Sequence, residues 1–379
     1  MSSSNKPIKQ PMKKIVFIAL AAGIGIIFAV FLSKGVSAYA GLISVLGNKV
    51  VRNQAQVVEA IPPAPQGVSL GKSLKDSPLP ERPEAVLPPP LKEVTLNFVG
   101  DIMLDRSVKK SVEKNYAGDY NALFENVGDL ANADILFGNL EGPVSTGGRK
   151  SGSLYSFRMS PDSLSALEGA GFDVLNIANN HIGDWGDLAF ADTLDAIVSN
   201  GLKYTGGGWN KKEAMTPVII EKNGISVGFL GFTDAGPTWL EAKDEAPGIM
   251  MADDPDFDQI VQNASNQVDI LIVSFHFGEE YKKYNKRQEN LAHKAVDSGA
   301  KIVVGAHPHV IQAIEEYNDG LIAYSLGNFI FDQKFSQETM EGLLLEVTVN
   351  KSGLKNYSKK LIKLNDFFQP ESPVDYEVL

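Results

Sequence analysis

The chain has 379 residues, enough for one large core with appendages. Its formal net charge of -11 and pI near 5.1 leave no basic surplus to neutralise phosphates, which argues against a nucleic-acid partner. With no cysteine, disulfides, thiolate metal sites and a cysteine nucleophile are excluded, so any metal has to sit on His, Asp, Glu or Asn.

Lys6, Lys9, Lys13 and Lys14 precede an uncharged apolar run from Ile15 to Leu32, just long enough to cross the hydrocarbon layer as a helix. The basic flank predicts residues 1–14 in the cytoplasm, 15–32 as a single-pass anchor in the cell membrane, and everything later outside it. Ala38 and Ala40 in "SAYAG" support a competing reading, a cleaved signal peptide, although the apolar run is longer than the usual signal core. Proline-dense sequence follows, with "PPAP" and "LPPP". Residues 33–92 therefore read as a stalk of low order or as a cell-envelope docking segment.

From "EVTLNFVGD" onward, short apolar runs alternate with amphipathic stretches. Residues 93–366 are expected to form one α/β domain, and 367–379 a C-terminal tail. Predicted strands cover 94–99, 135–137, 174–178, 225–230, 270–275, 302–304 and 322–326. Predicted helices fall on "NALFENVGDLA", "PDSLSALEGAG", "DLAFADTLDAIVSNG" closed by Gly201, and "KRQENLAHKAVDSGA". This order implies crossovers and mainly parallel pairing. Asn223-Gly224 and Asn318-Asp319-Gly320 signal hairpins, so the sheets are expected to be mixed. "GLLLEVTVN" and "KNYSKKLIKL", around Lys351-Ser352-Gly353, are the final strands.

Polar residues collect just after these strands: Asp101, then Asn139 and Glu141, then Asn180 and His181, then His276, then His307 and His309. Parallel strands bring such residues to one rim, where ligands bind. Pro308 disfavours helical backbone at His307, and in an extended segment residues two apart share a side. Both imidazoles of "HPH" are thus expected to face one point. Neutral imidazole is a ligand for Zn, Mn or Fe, whereas His-Pro-His on its own also suits plain loop packing. In "NNHIGD", Asn180 offers a neutral ligand, His181 either a support behind a ligand or an acid, and Asp184 a carboxylate to orient it; the same residues also suit a turn. His293, inside the helical "QENLAHKAVD", is expected to be structural. "GEEYKKYNKRQ", residues 278–288, reads as a solvated lead-in to a helix rather than a grip for a polyanion.

The series "FVGDIMLDR", "FGNLEGPVS", "NIANNHIGDWG", "SFHFGEEY", "GAHPHVIQ" and "YSLGNFIFD", in order from about Val94 to Asp332, resembles the bacterial capsule-synthesis CapA family. Members of that family include poly-γ-glutamate synthesis accessory proteins, and the family is in turn similar to calcineurin-like metallophosphoesterases. The resemblance implies a four-layer α/β/β/α sandwich of two stacked sheets flanked by helices. It also implies a divalent metal (Mn, Zn or Fe) on Asp101, Asn139, Glu141, Asn180, His276, His307 and His309. Met103 stands where the phosphoesterase pattern has a histidine, and Asn139 where it has a bridging aspartate, with Glu141 the only carboxylate nearby. His181, Asp184 and Arg106 follow as catalytic candidates: His181 to protonate a leaving group, Asp184 to orient it, Arg106 to face an anionic substrate, although Arg106 equally suits a surface salt bridge.

Two functions are expected from this. One is an accessory role with membrane-bound synthase or export subunits that handle an anionic polymer such as poly-γ-glutamate; the departures at Met103 and Asn139 favour it. The other is metal-dependent hydrolysis of a phosphoester or an amide-linked polymer in the cell envelope.

Overall fold

A computed structural model describes residues 92–376. The expected cytoplasmic segment, the anchor at 15–32 and nearly all of the stalk lie outside the described residues. Among the described residues no helix is long and apolar enough to cross a membrane.

The N-terminal apolar runs become β1 (Val94–Ile102), β2 (Ile135–Leu140), β3 (Val174–Asn176) and β4 (Lys203–Thr205), paired in parallel in that order. The two-residue strand β5 (Gly207–Gly208) leads to the hairpin of β6 (Val218–Lys222) and β7 (Ile225–Thr233), and β5 pairs with β8 (Gly248–Ile249). Strands β9 (Ile270–His276) and β10 (Ile302–Ala306) extend the β7 sheet in parallel, and the hairpin β11 (Ile314–Tyr317) and β12 (Gly320–Ala323) closes its edge. The chain then returns to the first sheet with β13 (Asn328–Ile330), β14 (Glu341–Asn350), β15 (Gly353–Lys363) and β16 (Val374–Asp375). Both hairpins turn where the sequence signals them, with Asn223 and Asn318 in left-handed backbone at φ 52°.

The central strands of both sheets are covered on both faces, which is why they read as unbroken apolar runs. Successive side chains alternate between faces. Phe98 and Phe137 of the first sheet therefore meet Phe229, Ile272 and Val304 of the second in a shared inner layer, where Phe137 and Phe229 stack at 5.6 Å. The intervening residues point outward. Val99 and Ile102 pack under the helices Arg106–Asn115, Asp162–Gly169 and Gly186–Ser199, while Leu271, Val273 and Phe275 pack under Phe257–Ser265 and Lys286–Asp297. The result is the expected four-layer α/β/β/α sandwich.

Some local expectations change. "NALFENVGDLA" forms two 3-10 turns, Tyr120–Phe124 and Gly128–Asn132, instead of one helix; the Asp119 side chain caps the first, and Glu125 to Val127 separate the two. The helices Arg106–Asn115 and Phe257–Ser265 are additional. The strand expected at 322–326 lies earlier, at β12, because Tyr324 to Gly327 bend toward β13. Residues from 367, read from sequence as the start of a tail, pack on the domain. Phe368 and Gln369 are buried, Gln369 Nε2 donates to the Ala122 carbonyl at 2.7 Å, and β16 pairs with β15.

Candidate metal centre

Register between parallel strands builds the site. Asp101 on β1 lies beside Asn139 on β2 and Asn328 on β13, and Asn139 lies beside Asn176 on β3. In the second sheet His276 ends β9 beside Ala306, so His307 leaves β10 next to it. The approach is close: a Cβ on Gly100, just before Asp101, would sit 1.9 Å from the Gly327 carbonyl oxygen, and one on Gly305 would sit 2.0 Å from that of Tyr324.

Asp101, Asn139, Asn176 and His276 are all buried. Asn139 Nδ2 donates to Asp101 Oδ1 at 2.7 Å, and Asn139 Oδ1 accepts from Asn176 Nδ2 at 2.8 Å. A carboxylate only accepts, so this orientation of the amide is forced. Asn139 Nδ2 also lies 3.3 Å from His276 Nδ1, which makes that ring nitrogen an acceptor and puts the ring proton on Nε2. His276 Nε2 then donates to Asn180 Oδ1 at 2.8 Å. In this arrangement both ends of the Asn139 amide are taken up by protein partners.

The imidazoles of "HPH" converge, by a different route from the expected one. His307 and His309 have φ of 98° and 58°, so the segment is left-handed, not extended. Such backbone is uncommon outside glycine and costs on the order of 1–3 kcal/mol, which the surrounding packing holds in place. Ring centroids of His276 and His307 are 4.7 Å apart, and those of His307 and His309 6.0 Å. The His307 backbone N–H donates to Asp101 Oδ2 at 3.2 Å, whereas His307 Nδ1 is buried with no partner. His309 Nδ1 is 3.0 Å from Asn328 Oδ1, whose own Nδ2 donates to the Thr339 carbonyl; His309 Nδ1 is thus the protonated nitrogen and Nε2 carries the lone pair.

Glu141 is the key to the electrostatics. It is fully buried, and neither carboxylate oxygen has a hydrogen bond. Oε1 lies 3.7 Å from His309 Nε2 and 3.8 Å from His181 Nε2. His181 Nδ1 bonds Asp184 Oδ2 at 2.8 Å, so its Nε2 also presents a lone pair. Asp184 is held in turn by the Phe157 backbone N–H. Acceptors therefore converge with no donor among them. Burial, and then the neighbouring Asp101 charge, pushes the Glu141 carboxyl well above the usual range. Burial lowers His276 well below the normal histidine value, helped by His307, His309 and His181, and lowers His307 to about 4.

Orphaned, buried acceptors of O and N type are what a divalent cation requires, and the residues present fit one. Among the described residues, two groups offer ligand atoms within 4.8 Å of one another: Asp101, Glu141 and His309, and Glu280, His307 and His309. His276 and Asn180 stand beside them as a hydrogen-bonded pair.

Above the cluster a cavity of about 390 Å³ opens between Arg106, Tyr155, Phe157, His181, Tyr281 and Phe335. Arg106 Nε is 3.2 Å from Asp332, and its guanidinium lies 5.3 Å from the Phe157 ring centroid, so its charge is already partnered at the mouth. Phe157 covers His181 at 4.0 Å. His293 stacks on Tyr317 at 3.7 Å and bonds Glu315, a structural setting. Sequence reading passed over Asn176, Asn328 and Glu280. The first two were legible only as polar residues at strand ends, and Glu280 only as one charge in a run.

Fold and site together define a four-layer α/β/β/α domain that carries a buried carboxylate–imidazole centre at its strand ends. The profile of the bacterial capsule synthesis protein PGA_cap matches residues 95–333. The chain belongs to that family, as its motifs lead one to expect. It is 37% identical over 286 residues to "Capsule biosynthesis protein CapA" of Bacillus anthracis, covering 72% of this chain and 69% of that protein. It is 34% identical over 278 residues to "PGA biosynthesis protein CapA" of Bacillus subtilis (strain 168), covering 72% of each. Similar solved structures include a novel phosphatase from Mycoplasma pneumoniae (TM-score 0.44, 13% identity, 75% of this chain and 96% of that one). The calcineurin-like phosphoesterase YfkN from Bacillus subtilis is another (TM-score 0.40, 15% identity, 72% of this chain and 91% of that one).

Proposed function

We propose that this chain is a membrane-anchored accessory subunit, its domain outside the cell membrane, in the synthesis or export of a capsular anionic polymer such as poly-γ-glutamate. Its partners are membrane-bound synthase or export subunits. The observation that carries the reading is the 37% identity, over most of the chain, to a capsule biosynthesis protein. The test is genetic and biochemical. Removing the chain from its producing cell should lower surface polymer, the full chain should restore it, and membrane synthase subunits should co-purify with it. Unchanged polymer after removal refutes the role.

The convergence of acceptors on Glu141 favours a second reading, metal-dependent hydrolysis. A divalent cation held by Asp101, Glu141 and His309, with His307 beside them, would supply fixed positive charge beside an anionic substrate. The chain's own residues do the rest. Asp184 fixes the His181 proton on Nδ1, which leaves Nε2 to take a proton from solvent and, once charged, to give it to the departing oxygen or nitrogen as water bonds to the phosphorus or acyl carbon that loses it. Phe157 covers one face of that imidazole, and Tyr155 lines the same cavity. Turnover of phosphoesters or γ-glutamyl amides by the purified Mn- or Zn-loaded chain, lost in His309→Ala, supports this reading; no turnover across such a panel counts against it.

A further inference from the structure

The loop after β9 reaches the centre. Glu280 was read from sequence as part of a solvated run, and it is exposed, but its carboxylate lies within 4.8 Å of ligand nitrogens on both His307 and His309. His307 is itself only 7% exposed, and its Nδ1 has no partner. A carboxylate at the site's open mouth within that reach of two imidazoles, one of which has a buried nitrogen without a partner, leaves room for a cation that joins them.

From this we propose that Glu280 is a further metal ligand, supplied by the 277–285 loop and completing the coordination of an ion on His307 and His309. This rests on the cation reading above and adds to it a residue outside the strand-end set. The backbone around Glu280 is held for the task. Tyr281, in left-handed conformation at φ 60°, donates its N–H to the Pro308 carbonyl at 2.8 Å, and Gln312 Nε2 donates to the Lys282 carbonyl at 2.8 Å. The loop ends in a capping box, Asn285 with Gln288, that starts the helix Lys286–Asp297.

The test is a Mn²⁺ titration of the full-length chain in detergent, followed by electron paramagnetic resonance, on wild type, Glu280→Gln and Glu279→Gln. Glu279 is the adjacent exposed carboxylate, outside both ligand groups. Glu280→Gln should weaken Mn²⁺ binding at least about tenfold, with Glu279→Gln unchanged and the metal-free melting temperatures of all three alike. A Glu280→Gln chain that binds Mn²⁺ as wild type does overturns the inference while leaving the cation reading in place. A wild type that shows no Mn²⁺ uptake in this titration and no bound Zn²⁺ by elemental analysis overturns both.

Discussion

Glu141→Gln separates the electrostatics of the centre from its chemistry. In the metal-free chain the wild-type carboxylate is buried, has no hydrogen-bond donor and faces Asp101. Its folded pKa is raised, so its contribution to stability is fully present below the unfolded carboxyl value and is lost as pH rises through the folded one. The amide removes that charge and offers N–H donors to the lone pairs of His181 Nε2 and His309 Nε2, which lie 3.8 and 3.7 Å from the present Oε1. An unpaired buried charge costs about 2 kcal/mol or more, and in a domain of this size each kcal/mol moves the melting temperature by about 2–4 °C. Metal-free Glu141→Gln should thus melt about 4–8 °C above metal-free wild type at pH 8, with the gap closing as pH falls through the raised pKa. Adding Mn²⁺ should raise the melting temperature of wild type and leave the variant nearly unmoved. Melting curves in chelator from pH 5 to 9, then with Mn²⁺, supply the measurement. A variant less stable than wild type at every pH, or a gap indifferent to pH, would refute the view of Glu141 as an unmet acceptor.

Cation uptake competes with the Glu141 proton, so Mn²⁺ affinity should rise with pH across the raised carboxyl value; a flat calorimetric profile from pH 5 to 8 speaks against it. If the chain hydrolyses phosphoesters, His181→Ala should lower kcat by about 10²-fold or more with bound metal unchanged by elemental analysis, since the loss is of proton transfer alone. Phe137→Ala removes a ring stacked on Phe229 between the sheets and should cost about 3–5 kcal/mol, read as a lower urea midpoint with an unchanged slope.

Much of this architecture is legible in the chain because the central strands of each sheet are buried on both faces. Runs such as "ILIVSF" carry the inner and outer layers at once, and their ends mark the rim where Asp101, His276 and His307 meet. Other features have no local signature. Asn176 and Asn328 act through register with Asp101 and Asn139, from strands distant in sequence. The left-handed turn at His307 and His309 runs against the preference of both residues, and tertiary contacts such as the bond from the His307 N–H to Asp101 decide it. "FDQIVQNAS" is the reverse case: Phe257, Ile260, Val261 and Ala264 follow helical spacing plainly, so this helix was legible in the chain.

The docking of residues 367–376 has a practical side. A recombinant fragment stopped at Asp366 would strip the outer edge of β15 of its β16 partner and take away the amide that donates to the Ala122 carbonyl. Freed hydrogen-bonding groups along such an edge invite self-association of the fragment. Versions made for crystallisation or partner capture should therefore keep the sequence through Tyr376.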